Sequence, residues 1–165
     1  MMAVAPARAV LPLDHLDRMS DQRGLFEHAA HDVPRREHGY CLDDVARGLG
    51  LLVTDPEPTP RVAALTETYL RFVEAAFDSD GRAHNRMDAD GVWTDRPAMG
   101  DWWGRAIAAL GAAAMRAPLP MTRARAARAA LVAIRQSPVD VRTAAFAIPG
   151  ICDVIRLRPA AERPR

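Results

Sequence analysis

Helical stretches punctuated by proline constrain this chain more than anything else in it. Apolar residues at Leu42, Val45, Leu49 and Leu52 recur in steps of three, four and three, the stripe of an amphipathic helix over 42–53. Asp55-Pro56-Glu57-Pro58-Thr59-Pro60 then stops the helix and forms a loop. Val62, Leu65, Tyr69, Phe72, Val73 and Ala76 fall on one side of a second helix. Asp80-Gly81-Arg82 reads as a turn, and 83–97 as an excursion with short extended pieces around Asn85 and Trp93. A third helix, over 101–115, is rich in Ala and Gly, which lets neighbouring helices approach closely. Pro118 and Pro120 break the chain, and further helices are expected over 122–135 and 139–157, the last kinked at Pro149-Gly150. Nothing reads as strand-rich. The expected fold class is all-α, built from consecutive antiparallel helical hairpins and open as an arc rather than closed as a bundle. The expected divisions are an irregular segment over 1–36 with a helical turn at 25–31, a helical domain over 37–157, and a frayed tail over 158–165.

With 165 residues, 49% of them hydrophobic, the chain can bury the core of one domain. Its formal net charge of +1 leaves no cationic excess to neutralise phosphates, so no nucleic-acid partner is expected. Every basic side chain is arginine, which argues for composition bias and weakens any argument from arginine's planar fork. Cys41 and Cys152 make neither a disulfide framework nor a zinc site, and read best as thiols in a reducing compartment. The apolar start is short and interrupted by Pro6 and Arg8, unlike a signal peptide. No apolar run reaches the ~18 residues of a membrane span. A cytoplasmic location with no membrane partner is the expectation.

The run from His38 through Tyr40, Asp43, Asp44 and Arg47 to Leu49 carries the chemistry. Two carboxylates in a first helical turn stand where the helix dipole favours negative charge. Arg47 is four residues from Asp43 and three from Asp44, within reach of both. Such a helix start is either a well-capped surface terminus or a polar site. Glu27-His28-Ala29-Ala30-His31 is not the His-Glu-x-x-His order of zinc proteases and offers no third ligand, so no metal is expected. The chain has no glycine-rich phosphate loop, no Gly-x-Ser-x-Gly elbow and no nucleotide fingerprint, and no cofactor is expected.

Three blocks carry a family resemblance. They are His15-Leu16 with 19–29, then 33–49 around Gly39-Tyr40-Cys41-Leu42-Asp43-Asp44, then Gly100-Asp101-Trp102-Trp103-Gly104-Arg105 and on to Gly111. Tyr69-Leu70-Arg71-Phe72, the stretch 80–87 and the stretch 145–152 agree in order and spacing. In these blocks the chain resembles a bacterial glycosyltransferase-associated family with an α/α-toroid domain like that of six-hairpin glycosidases. The Gly-Tyr-Cys-x-Asp-Asp block is the most specific part. The chain departs from the family pattern at Leu42, Val45, Trp102 and Trp103, where Thr, Asn, a small residue and His are usual.

The resemblance implies a partial toroid corresponding to the N-terminal half, and a carbohydrate-active protein linked to glycosyl transfer or glycoside cleavage. It implies Asp43, Asp44 and Asp101 as candidate catalytic acids, one of the adjacent pair opposing Asp101. It implies His38, Tyr40, Arg47, Asn85, Arg86, Trp102, Trp103 and Arg105 as candidate substrate contacts. Each has a plainer alternative: helix-terminal charge and ion pair for the aspartates, a tie between helices for Arg47 and Arg105, core burial for the tryptophans, loop hydrogen bonding for His38, Asn85 and Arg86. The expected partners are a carbohydrate or glycoside ligand and either a separate glycosyltransferase or the missing toroid half. The alternatives to activity are a non-catalytic sugar-binding or scaffolding module, and a truncated inactive fragment.

Overall fold

A computed structural model describes residues 13–157; the apolar start and the expected frayed tail lie outside the described residues. In chain order it contains α1 (Asp14–Arg18), β1 (Ala29–Ala30), β2 (Val33–Pro34), β3 (Tyr40–Cys41), α2 (Leu42–Leu52), α3 (Pro60–Ala76), β4 (Arg86–Met87), α4 (Asp101–Arg116), α5 (Pro120–Ala133) and α6 (Val141–Leu157). The fold is all-α in mass. Among the described residues, strands form only two small antiparallel ladders, β1 with β2 and β3 with β4.

The helical stripes pack as their spacing requires. Leu42, Val45, Leu49 and Leu52 of α2 and Val62, Leu65, Tyr69, Phe72, Val73 and Ala76 of α3 are all buried. Two helix starts differ from expectation. Pro60 and Pro120 open α3 and α5 rather than preceding them. A proline at the first helical position lacks only an N–H that would have no partner there. Thr59 caps α3 by accepting the Val62 N–H at 3.3 Å, and Asp140 caps α6 by accepting the Thr143 N–H at 2.7 Å. The helical turn expected at 25–31 does not form. Leu25 bridges Ser20, Phe26 bridges Tyr40, and Ala29–Ala30 joins the β1–β2 hairpin. Phe26 gives up local helix for tertiary contact: its ring stacks on Tyr40 with centroids 4.9 Å apart. The short helix α1 was not anticipated.

Contact pairs set the directions of the helices. Asp43 of α2 meets Arg105 of α4. A Cβ at Gly104 of α4 would meet Thr143 and Phe146 of α6, one at Gly111 would meet Gly150, and Arg116 pairs with Asp153. Helices α2, α4 and α6 therefore lie side by side and run the same way. On α3 and α5, Arg125 binds Glu67 at 2.8 Å and Glu74 at 3.1 Å, and Gln136 beyond α5 reaches Asp80 beyond α3. These two helices also run alike. The end of α3 returns toward the start of α2, because His84 N–H donates to Ala76 and Leu42 N–H to Asn85. So α2–α3 and α4–α5 are antiparallel hairpins, and α2, α4 and α6 share one end.

The α4–α6 seam is a backbone contact. Gly104 and Gly111 face Thr143, Ala147 and Gly150, and a Cβ built on Gly150 would stand 2.1 Å from the Ile107 carbonyl oxygen. Pro149 lies within α6, where the helix runs through without interruption. Its missing N–H leaves the Ala145 carbonyl without its usual helical donor.

Candidate functional site

Because α2, α4 and α6 start at the same end, their first turns converge, and a cleft of about 440 Å³ opens there. Asp43, Asp44 and Arg47 line it from α2, Asp101, Trp102 and Arg105 from α4, and Arg142 from α6. The excursion after α3 contributes Asn85 and Arg86, and the segments before α2 contribute Glu27 and Cys41.

The excursion is held in place by Asp95. Its carboxylate accepts the Asn85 N–H at 2.7 Å and the Arg86 N–H at 3.2 Å, while His84 Nδ1 contacts its carbonyl oxygen at 2.8 Å. Asn85 then reaches the start of α2, which has no capping side chain of its own. Its carbonyl accepts the Leu42 N–H at 2.9 Å, and its Oδ1 accepts the Asp43 N–H at 3.4 Å and the Cys41 thiol at 3.3 Å. Asn85 is thus an N-cap supplied from another part of the chain. Both α4 indoles also tie down this excursion, Trp102 donating to Ala83 at 3.1 Å and Trp103 to Gly81 at 2.7 Å.

Charge in the cleft is matched pair by pair. Asp43 accepts from both Arg47 and Arg105. Arg105 lies 4.2 Å above the Phe146 ring of α6, so its guanidinium joins three helices. Glu27 pairs with Arg86, and Asp101 forms an ion pair with Arg142, its carboxylate 2.7 Å from Nε. Asp44 is the most weakly held of the four carboxylates. Its nearest guanidinium is Arg47 at 3.5 Å. Burial pushes its carboxyl above the ordinary carboxylate range, Arg47 opposes that, and the like charges of Asp43 and Glu27 add to it. Burial likewise pushes the Cys41 thiol up.

The structure brings together eight of the eleven anticipated residues: Asp43, Asp44, Arg47, Asn85, Arg86, Asp101, Trp102 and Arg105 all line the cleft. Three do not. Trp103 is fully buried and takes the core-packing alternative. Tyr40 is 1% exposed, and its hydroxyl donates to Asp21 at 2.7 Å. Burial and that bond raise its phenol well above the usual range. His38 is exposed, its ring set edge-on against His28 at 4.9 Å. Glu27, Cys41 and Arg142 were not anticipated. Glu27 sits in one of the resemblance blocks, but nothing local to it shows that the β3 ladder folds it onto α2. Glu27, Cys41 and Asp44 bring their carboxylate and thiol atoms within 4.8 Å of one another, so among the described residues they are the group that could hold a cation. Arg86 already occupies Glu27 and would have to yield.

Comparison with known proteins returns no match to a family model, to a curated protein or to a solved structure.

Proposed function

We propose that the cleft binds a carbohydrate and that the chain is an arc of an α/α toroid, with α2, α4 and α6 as inner helices and α3 and α5 as outer ones. The observation that carries this reading is the convergence of Asp43, Asp44 and Asp101 with Asn85, Arg86 and Trp102 on one open cleft. Carboxylates, amides and guanidinium groups in fixed pairs present donors and acceptors to hydroxyls. The exposed part of Trp102 offers a flat apolar edge beside them.

In glycoside cleavage Asp44 is the acid. Burial makes its carboxyl hold a proton more tightly than an ordinary carboxylate, and that proton passes to the glycosidic oxygen as the bond from that oxygen to the anomeric carbon breaks. Water supplies the replacing oxygen at the anomeric carbon, and its proton goes to the Asp101 carboxylate across the cleft. Asp43, clamped by Arg47 and Arg105, positions α2 against α4 rather than reacting.

The test is turnover of a panel of neutral alkyl glycosides, whose leaving oxygen needs a proton, by the wild type and by Asp44→Asn. A loss of roughly 100-fold or more with sugar affinity retained supports Asp44 as the acid. Turnover that survives Asp44→Asn refutes that role. A second reading is a binding module without turnover, and the close pairing of Asp43, Glu27 and Asp101 with arginines favours it. Wild-type sugar binding with no turnover decides for the module. A toroid arc also offers α6 as an edge, with Val141 at 87% and Ile148 at 55% exposure, where a further helical layer or a partner glycosyltransferase would join.

A further inference from the structure

A second cavity, of about 350 Å³, adjoins the first along the same exposed face of α2. Its walls are Leu16, Met19, Leu25 and Phe26 from the segments before α2, facing Leu51 of α2 across the opening. Met19 and Phe26 are otherwise buried, whereas Leu51 is 46% exposed. The cavity is thus a ready apolar lining open to water, unlike the polar cleft. Glu27, Asp44 and Arg47 line both cavities. The two spaces therefore share one wall, and its acids stand at the junction between a polar and an apolar compartment. The Arg47 side chain, 56% exposed, is the most exposed part of that wall.

From this juxtaposition we propose that the ligand is an uncharged glycoside carrying an apolar aglycone, with its sugar in the polar cleft and its aglycone between Leu16, Phe26 and Leu51. This rests on the carbohydrate reading of the cleft and adds the class of ligand to it. The sugar is uncharged because the cleft arginines are already committed: Arg47 and Arg105 to Asp43, Arg86 to Glu27, and Arg142 to Asp101. An anionic sugar would have to break one of these pairs. The aglycone is apolar because most of this lining is apolar: Leu16, Met19, Leu25, Phe26 and Leu51 offer a buried polar group no side-chain partner. The polar side chains stand apart from them, His15 at the rim and Glu27, Asp44 and Arg47 at the shared wall. A glycosidic bond spanning the two compartments places its oxygen at the shared wall, beside Asp44.

The experiment is calorimetric titration of the full chain with methyl and hexyl glycosides of glucose, galactose and mannose, below their micelle concentrations. For whichever sugar binds, the hexyl compound should bind at least tenfold more tightly than the methyl compound, since each fully buried methylene is worth roughly fourfold. Leu51→Asp should abolish that gain and leave the methyl glycoside's affinity unchanged, and Leu51→Ala should fall between. Methyl glycoside binding with no gain from the hexyl chain overturns the aglycone pocket and leaves the carbohydrate cleft standing. A gain that survives Leu51→Asp also overturns it, because the chain then lies elsewhere. No binding by any compound overturns this proposal and the carbohydrate reading together.

Discussion

The α4–α6 seam makes Gly150→Ala the sharpest probe of how the cleft is assembled. An added methyl would stand 2.1 Å from the Ile107 carbonyl oxygen, 2.5 Å from its carbon and 2.7 Å from Ala108 Cα. Comfortable contacts lie near ~3.5 Å or more. The obstacle is backbone on a neighbouring helix, so no side-chain rotation relieves it, and α6 must lift by roughly 1 Å or more. Overpacking of this kind costs ~1–3 kcal/mol, and a clash against backbone belongs at the upper end of that range. Alanine returns ~1 kcal/mol of helix propensity over glycine. The net expectation is a loss of about 2 kcal/mol. Gly50 supplies the control, since it lies in α2 and a Cβ there meets nothing within 4 Å. Gly50→Ala should therefore stabilise by ~0.5–1 kcal/mol. The same substitution thus changes sign between two helices. Urea unfolding followed by far-UV circular dichroism measures both, and the melting temperatures should separate by ~2–4 °C per kcal/mol. A Gly150→Ala variant as stable as the wild type, or more so, would refute the close seam. Sugar binding should weaken in the same variant, because lifting α6 draws Arg142 from Asp101 and Phe146 from Arg105.

Two further outcomes follow from the cleft. Asp44 is held above its ordinary value of 3.8 chiefly by burial, so the folded chain binds its proton more tightly than the unfolded chain. Stability at this group is therefore lost as pH rises from the ordinary carboxylate range through the raised value, and Asp44→Asn should stabilise the chain at neutral pH but not below that range; melting curves across pH check it, and a variant gain confined to acid would contradict the sign. Asn85→Ala removes the cap that the excursion supplies to α2 and should cost ~1 kcal/mol in urea unfolding, whereas Asn85→Asp, which keeps an acceptor at Oδ1, should recover most of the loss.

The longer helices were legible because helix is a local property. The stripe of Leu42, Val45, Leu49 and Leu52 and that of Val62 through Ala76 predicted which faces are buried, and both are. The errors at helix starts are also local: Pro60 and Pro120 break a helix in its interior yet open one at its first position. Phe26 was misread for a different reason. Its partner Tyr40 lies fourteen positions away, beyond the reach of any helical window.

What the sequence determined by itself is the five longer helices, the faces that α2 and α3 bury, and a cluster of acids at the start of α2. These depend on spacings of three and four residues. The tertiary structure decided which polar residues meet. Cap and helix start, Asn85 and Asp43, are forty-two positions apart, and Arg105 reaches Asp43 across sixty-two. It also separated two adjacent tryptophans, leaving Trp102 on the cleft and enclosing Trp103. Neighbours on a helix point about 100° apart, so only the packing of α4 against the other elements could choose between them.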